Sequence, residues 1–430
     1  MPLTNAQNLS RADAVMIEII DKTVAILPEM KTPVTDRIKG AAKKITVNQK
    51  GRVKPFTRDV RIQLKGGSPD MNYPVASDWS RGRWRVSPVT QAVTYAIDAA
   101  TYEDYTRGDM NTFVNLREET KTLAMGFAQL QEIYLGGDGS GALATVKVQA
   151  NAGTNTVQID DIPDGTYAKA FGVAYLRRGI TYEVRNSAGA FIENVTIAID
   201  DTAINYSTNT VTLTANLANN LTVGSKFYMK ESFGNARHGL RYMLGGNQAG
   251  GYYQGYNVTS VMETRTPRFN AAQRQISNAA IETILQKHAM RQGTGINQTF
   301  KMVAPPALIS IYKTPAWGMR RLGAQDATVQ MGVKEARYED SIFIPAPKLD
   351  ADTIYGVDFS DLYWLEHTQC GPFVVDGIMW HQSVGDGYGA GTRYMQYGCV
   401  DNMAIDEPHR HFLMDSFDVT GAVTPANFYQ

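Results

Sequence analysis

Cysteine is nearly absent from this chain. Cys370 and Cys399 are the whole supply in 430 residues, with neither a Cys-x-x-Cys pair nor a Cys/His finger spacing. That excludes a disulfide-built secreted scaffold and gives a structural zinc site no support. The two thiols read as small buried hydrophobes, not as a redox pair, and a reducing compartment is expected. Long apolar runs are also missing: no stretch approaches the ~18 residues of a membrane span. The opening MPLTNAQNLSRADAVMIEII lacks the charged, apolar and small-residue regions of a secretory signal. Neither export by a signal peptide nor a place in a membrane is expected. Histidine is scarce, at six residues, and there is no Gly-x-Ser-x-Gly elbow, HExxH helix or Gly-Lys-Ser/Thr phosphate loop. Charge of one sign is not in excess either: 42 Lys plus Arg balance 42 Asp plus Glu, unlike a domain built to coat nucleic acid. What is present is an ordinary globular composition, 43% hydrophobic and 10% aromatic, over a length that predicts about two to four domains.

The neutral total hides a polarity. Residues 31–85 carry 14 basic side chains against four acidic ones, a net of +10, whereas residues 338–430 carry three against 14, a net of −11. Two readings follow. Either the segments neutralise each other within one folded subunit, or the basic segment of one copy lies on the acidic segment of the next. The second arrangement is a head-to-tail contact that closes into rings or lattices. A nucleic-acid arm is the weaker reading, because only Phe56, Tyr73, Trp79 and Trp84 interleave the basic residues.

Spacing along the chain predicts an amphipathic helix over 9–27, stopped by Pro28 and Pro33. Over about 45–97, Val53, Val60, Ile62 and Leu64 alternate with polar residues. Lys65 to Asp70 then turn the chain and Arg83, Arg85, Val86, Val89 and Val93 lead back, as in a long basic two-stranded excursion. Residues 109–135 form the clearest helix, with Phe113, Leu116, Leu123, Phe127, Leu130 and Tyr134 on one stripe and Arg117, Glu118, Lys121 and Gln131 facing away. The following GGDGSG should stop it at a left-handed glycine cap. Short alternating runs from 144 to 232 predict a small sandwich or barrel inserted in the chain. Seven glycines in 234–255 mark a mobile or closely packed link. A helix is expected over 270–291 with Ile276, Ala279, Ala280, Ile284 and Leu285 inward. Strands are expected in FKMVAPPALISIY, SIFIPAPKL, DTIYGVDF, LYWLEH and GPFVVDGIMW.

Candidate chemistry is sparse. His409 and His411, with Asp406, Glu407 and Asp415 near in sequence, offer donors for a divalent metal, but a solvated acidic turn after Pro408 accounts for the same residues. The doublets Asp160-Asp161 and Asp200-Asp201 fall in expected hairpin turns, where acids are favoured for backbone reasons. No catalytic residue, cofactor or metal is expected.

The order of parts resembles a known family. An N-terminal arm, a long basic hairpin, a long helix ending in GGDGSG, a helix after a glycine-rich link and a closing block of Pro-punctuated strands are similar to the major capsid protein of tailed bacteriophages. IYGVDFSDLYWLEH and the IPAP turn at Ile344 to Pro347 are similar in style to members of that family. The resemblance implies an α+β, Hong Kong 97-like fold: N-terminal arm 1–49, extended loop 50–100, and peripheral domain with spine helix 101–143. An inserted β domain would cover 144–232, the peripheral domain would continue over 233–299, the axial domain would take 300–365, and the chain would return over 366–430. It implies a non-enzymatic shell subunit, made and assembled in the bacterial host cytoplasm and located in the virion. Its expected partners are copies of itself in hexamers and pentamers, scaffolding, portal and decoration proteins, and packaged double-stranded DNA held non-specifically. Because the chain begins almost at the arm, a separate scaffolding protein or a processed product is expected. No lysine–asparagine cross-link is expected, although Lys54 and Lys65 lie in the loop. Lys54, Arg58, Arg61, Lys65, Arg81, Arg83 and Arg85 would then meet Asp350, Asp352, Asp358, Asp361 and Glu366 of a neighbour. A phage tail or receptor-binding protein using the β block is the alternative.

Overall fold

The computed structural model describes residues 33–46, 52–59, 80–159, 172–206, 208–244, 252–253, 256–257, 266–292, 300–312, 337–338, 341–346, 348–350, 352–374, 380–382, 393–405 and 408–418. The helix expected over 9–27 and the turn at 65–70 lie outside them. Helix α1 (Pro33–Ala41) opens on a proline, whose missing N–H costs nothing in the first turn. After β1 (Lys43–Thr46), β2 (Arg52–Asp59) and β3 (Ser80–Val86) pair antiparallel as a two-stranded sheet of their own, Lys54 opposite Trp84 and Thr57 opposite Arg81. The chain then enters β4 (Val89–Ile97), α2 (Ala99–Arg107) and α3 (Met110–Leu135). Both helices begin at an aspartate. Asp98 accepts the Thr101 N–H at 2.7 Å and Asp109 that of Thr112 at 2.9 Å, satisfying donors that have no partner in the first turn.

Helix α3 matches the sequence reading in extent, and at 26 residues is roughly 40 Å long. Leu116, Ala124 and Phe127 pack with Ile97, Met395, Tyr397 and Cys399 in one apolar cluster. The expectation for Gln131 is wrong: it is 4% exposed. The C-terminal turns of α3 are covered on both sides, by the β block through Ile133 and Tyr134 and by other elements through Leu135, so no outward face remains there. The helix stop also differs from expectation. Gly136 is right-handed, with φ −80°. The left-handed positions fall later, at Gly139 (φ 78°) and Gly141 (φ 85°). The glycine-rich link is closely packed at Gly239, where a Cβ would strike the carbonyls of Tyr134 and Gly137, and open at Gly234.

The described strands between 142 and 229 form two small sheets. One orders β5 (Ala142–Thr145), β11 (Lys226–Met229), β7 (Thr181–Arg185) and β8 (Phe191–Thr196). The other orders β6 (Thr156–Gln158), β10 (Thr210–Thr212) and β9 (Ile204–Asn205). Val157, Val184, Val211, Leu221 and Phe227, all inaccessible to solvent, share a core that continues into Ile133 and Tyr134 of α3.

Beyond α4 (Leu240–Leu244) and the short ladder of β12 (Tyr252–Tyr253) with β13 (Tyr256–Asn257), the chain builds a six-stranded sheet. It contains β14 (Arg268–Arg274), β15 (Phe300–Ala304), β16 (Arg337–Tyr338), β17 (Ser341–Pro345), β18 (Ile354–Asp358) and β22 (Phe412–Phe417), in the order β14-β22-β18-β15-β17-β16. Helix α5 (Asn278–Gln292) packs Ile281, Ile284 and Leu285 onto it. This helix starts later than expected, because Arg268–Arg274 is a strand parallel to β22 and the Ser277 hydroxyl takes the Ala280 N–H at 3.3 Å. Ala279, expected inward, is exposed. Pro305 ends β15 and Pro306 starts a helix over 306–312, so the run expected as one strand divides at its prolines. The sheet thus draws on 268–274 and 412–417 as well as on 300–365. The remaining strands, β19 (Leu362–Pro372), β20 (His381–Gln382) and β21 (Arg393–Ile405), join β1 and β4 in a second sheet, β1-β19-β21-β20 with β4 also on β21. One apolar cluster, including Ile38, Trp364, Met403, Tyr355 and Leu413, ties this sheet to the six-stranded one. The architecture is α+β.

Candidate inter-subunit surface

The basic residues divide into two groups. Those nearest the N-terminus meet the acidic segment inside the same chain: β1 runs parallel to β19 with Lys43 beside Tyr363 and Thr46 beside Glu366. Lys39 Nζ lies 4.6 Å from the Trp364 ring centre and Lys43 Nζ 5.4 Å from that of Tyr363. The second group is on the hairpin. Lys54 and Arg58 lie in β2 and Arg81, Arg83 and Arg85 in β3, in a ladder that joins neither large sheet. Arg61 and Lys65 lie outside the described residues. Among the described residues β3 also lies near β13.

The acidic residues are less available than a count along the chain suggests. Asp350 is 2% exposed and its Oδ2 accepts from Arg241 Nη1 at 2.5 Å. Asp352 is buried, and its Oδ1 accepts the Thr353 hydroxyl at 2.9 Å. Burial, with the charge of Asp350, raises its pKa. Buried Asp358 accepts the Ser360 N–H and O–H at 2.9 and 2.8 Å, fixing the turn after β18. Asp415, buried as well, accepts Arg268 Nε at 2.6 Å. Three of the five carboxylates expected to face a neighbour are therefore spent inside, because arginines and turn donors of the same chain reach them. Half-buried Asp361, 3.3 Å from Arg410 Nη1, and Glu366 remain at the surface.

The histidine reading is not assembled. His411 has no exposure, and its Nδ1 accepts the Asp358 N–H at 3.1 Å. Burial pushes its pKa down to about 3, so it serves as a neutral acceptor within the fold. Asp406 and Glu407 lie outside the described residues.

Sequence reasoning missed a buried polar junction at the end of α3. Glu132, 3% exposed, accepts the N–H groups of Val34 and Thr35 at 3.3 and 3.2 Å, so the spine helix supplies the N-terminal cap of α1. Arg237, with no exposure, donates to the Gln131 carbonyl at 2.9 Å, lies 3.6 Å from Asp401 Oδ2 and sits 4.7 Å from the Trp364 ring centre. The signal was Gln131-Glu132, a polar pair inside an apolar helix end, but its partners are about a hundred residues or more away. On the outer side, Met110 and Val114 of α3 lie one turn apart at 74% and 52% exposure. A groove of about 660 Å³ runs between α3, β4 and the β block, with Tyr95, Leu123, Leu130 and Ile180 among its walls.

No protein-family model matches the sequence. No curated protein matches it either. Solved structures do match in fold. The capsid asymmetric unit of cyanophage A-1(L) is similar over 90% of this chain and 93% of its own, at 8% identity and a TM-score of 0.51. A structure from Gordonia phage Cozz matches 88% of this chain and 85% of its own at 10% identity and a TM-score of 0.42. With the sheets, spine helix and hairpin described above, the correspondence with the cyanophage capsid gives the chain the α+β fold of a Hong Kong 97-like phage capsid subunit.

Proposed function

We propose that this chain is the major capsid protein of a tailed bacteriophage, a structural and non-catalytic subunit that closes into the icosahedral shell around double-stranded DNA. The observation that carries the reading is fold correspondence over nine-tenths of the chain with a capsid subunit. Two features support it. The basic hairpin forms a sheet of its own, and α3 presents Met110 and Val114 outward, as surfaces completed by neighbouring copies would do. Hexamers and pentamers are the proposed assemblies, formed in the host cytoplasm with scaffolding, portal and decoration proteins as partners. In this reading the hairpin residues Lys54, Arg58, Arg61, Lys65, Arg81, Arg83 and Arg85 lie on the acidic rim of the next subunit, of which Asp361 and Glu366 are the accessible members. Segments 144–232 and 300–365 are proposed as inserted β domain and axial domain. Analytical ultracentrifugation of the expressed chain, alone and with its scaffold, tests the assembly: species of hundreds of subunits are expected. Discrete trimers or monomers under both conditions would favour a tail or receptor-binding role instead.

A further inference from the structure

Strand register, not sequence spacing, brings Cys370 and Cys399 together. Along the β19–β21 ladder the pairing slips between Thr368 and Gly371, after which Gly371 stands opposite Gly398, so the two cysteines become neighbours across the strands. Their sulfurs and a carboxylate oxygen of Asp401 all lie within 4.8 Å of one another. Three further observations bear on this cluster. The Gln131 amide sits over both sulfurs, Nε2 2.9 Å from Cys399 Sγ and 3.6 Å from Cys370 Sγ. Since the two ends of an amide exchange by rotation, the same side chain can present Oε1 to the same point. Asp401, 1% exposed, keeps Oδ1 without a hydrogen-bond partner among the described residues, which is costly for a buried carboxylate. Arg237 balances the charge. Two thiolates, one carboxylate and a divalent ion sum to −1, which the buried guanidinium 3.6 Å from Asp401 offsets. Lys39 adds a second cation near Cys370, while the Glu132 carboxylate is held by α1.

We propose that Cys370 Sγ, Cys399 Sγ and Asp401 Oδ1, with the Gln131 amide oxygen as fourth donor, form a tetrahedral site for a thiophilic divalent cation of the zinc class. Binding exchanges two thiol protons, released to solvent, for one ion, and nothing is oxidised or reduced. Zinc–sulfur bonds of about 2.3 Å put tetrahedral donors roughly 3.8 Å apart, so small side-chain rotations close the present cluster. Cys370 is only half-buried and gives the ion its way in. The ion ties α3 to β19 and β21, so it stiffens the junction of spine helix and sheet, and this inference does not depend on the capsid reading.

The test is a cobalt(II) titration of the full-length, reduced, metal-free chain. One cobalt per chain is expected, with a sulfur-to-cobalt charge-transfer band in the near ultraviolet and the strong visible bands of tetrahedral cobalt, both lost when zinc is added. The Cys370→Ser and Cys399→Ser variants should lose the charge-transfer band, and Asp401→Asn should bind at least roughly tenfold more weakly. Absence of the band from folded wild-type protein whose two thiols both react with a thiol reagent would overturn the site without recourse to any variant. So would a band that survives in the double cysteine variant, or isolation of the pair as a disulfide.

Discussion

At the scale of single residues, Arg237 carries the sharpest energetic consequence. A guanidinium without solvent exposure is tolerated because Asp401, the Gln131 carbonyl and the Trp364 face surround it. Arg237→Met leaves Asp401 buried and unpaired and should cost about 3–5 kcal/mol, whereas Arg237→Met with Asp401→Asn should recover much of the loss. Urea denaturation midpoints of the soluble subunit measure both. His411 gives a pH dependence of definite sign. Its pKa falls from 6.5 to about 3 on folding, because burial disfavours the imidazolium. The unfolded chain therefore takes up the proton first, and the stability His411 contributes is complete above about pH 6.5 and declines as pH drops toward 3. At pH 5 the decline is about 2 kcal/mol. Thermal melts at pH 7.5 and 5 should show it, and His411→Gln, which keeps an acceptor for the Asp358 N–H without titrating, should flatten the slope.

At the scale of elements, α3 organises its neighbours through its polar residues as much as through its apolar stripe. Glu132 receives two N–H groups and the hydroxyl of the α1 start, so Glu132→Ala should destabilise by about 1–3 kcal/mol. The loss should appear in hydrogen exchange as faster exchange confined mainly to residues 33–41. The hairpin makes the opposite prediction, because its side chains are proposed to act between subunits. Changing Arg81, Arg83 and Arg85 together to Glu should leave a folded subunit by circular dichroism and abolish shells; normal shells from that variant would sink the hairpin proposal. The extent of α3 was legible in the sequence, because it depends on local periodicity and caps, and so was the pairing of 52–59 with 80–86; Val89 and Val93, expected in the returning arm, instead lie in β4 and pair with β21, outside the hairpin. The fate of Gln131, the late start of α5 and the inward turn of Asp350, Asp352 and Asp358 were not legible. Those depend on which distant element lies alongside: Arg268 reaches Asp415 because β14 runs parallel to β22, and Arg241 reaches Asp350 from helix α4. Charge counted along a chain says nothing of such pairs.

At the scale of the whole molecule, the charge polarity resolves into two parts. Residues 33–46 lie against β19 within the subunit, while the hairpin contributes basic strands that belong to neither large sheet. The proposed contacts between its charges and a neighbour's rim would be screened beyond roughly 10 Å at 0.1 M salt, so the yield of shells should fall as ionic strength rises, and light scattering across a salt series follows it. In the proposed shell, apolar burial would supply the remainder, with the exposed Met110 and Val114 as its proposed anchors. Whether copies of this chain close into a shell is read from negative-stain electron microscopy of the sedimentable material from cells expressing the chain, alone and with its scaffold. Closed polyhedral shells or sheets of hexameric rings are the predicted result, and only dispersed monomers or trimers under both conditions would contradict it.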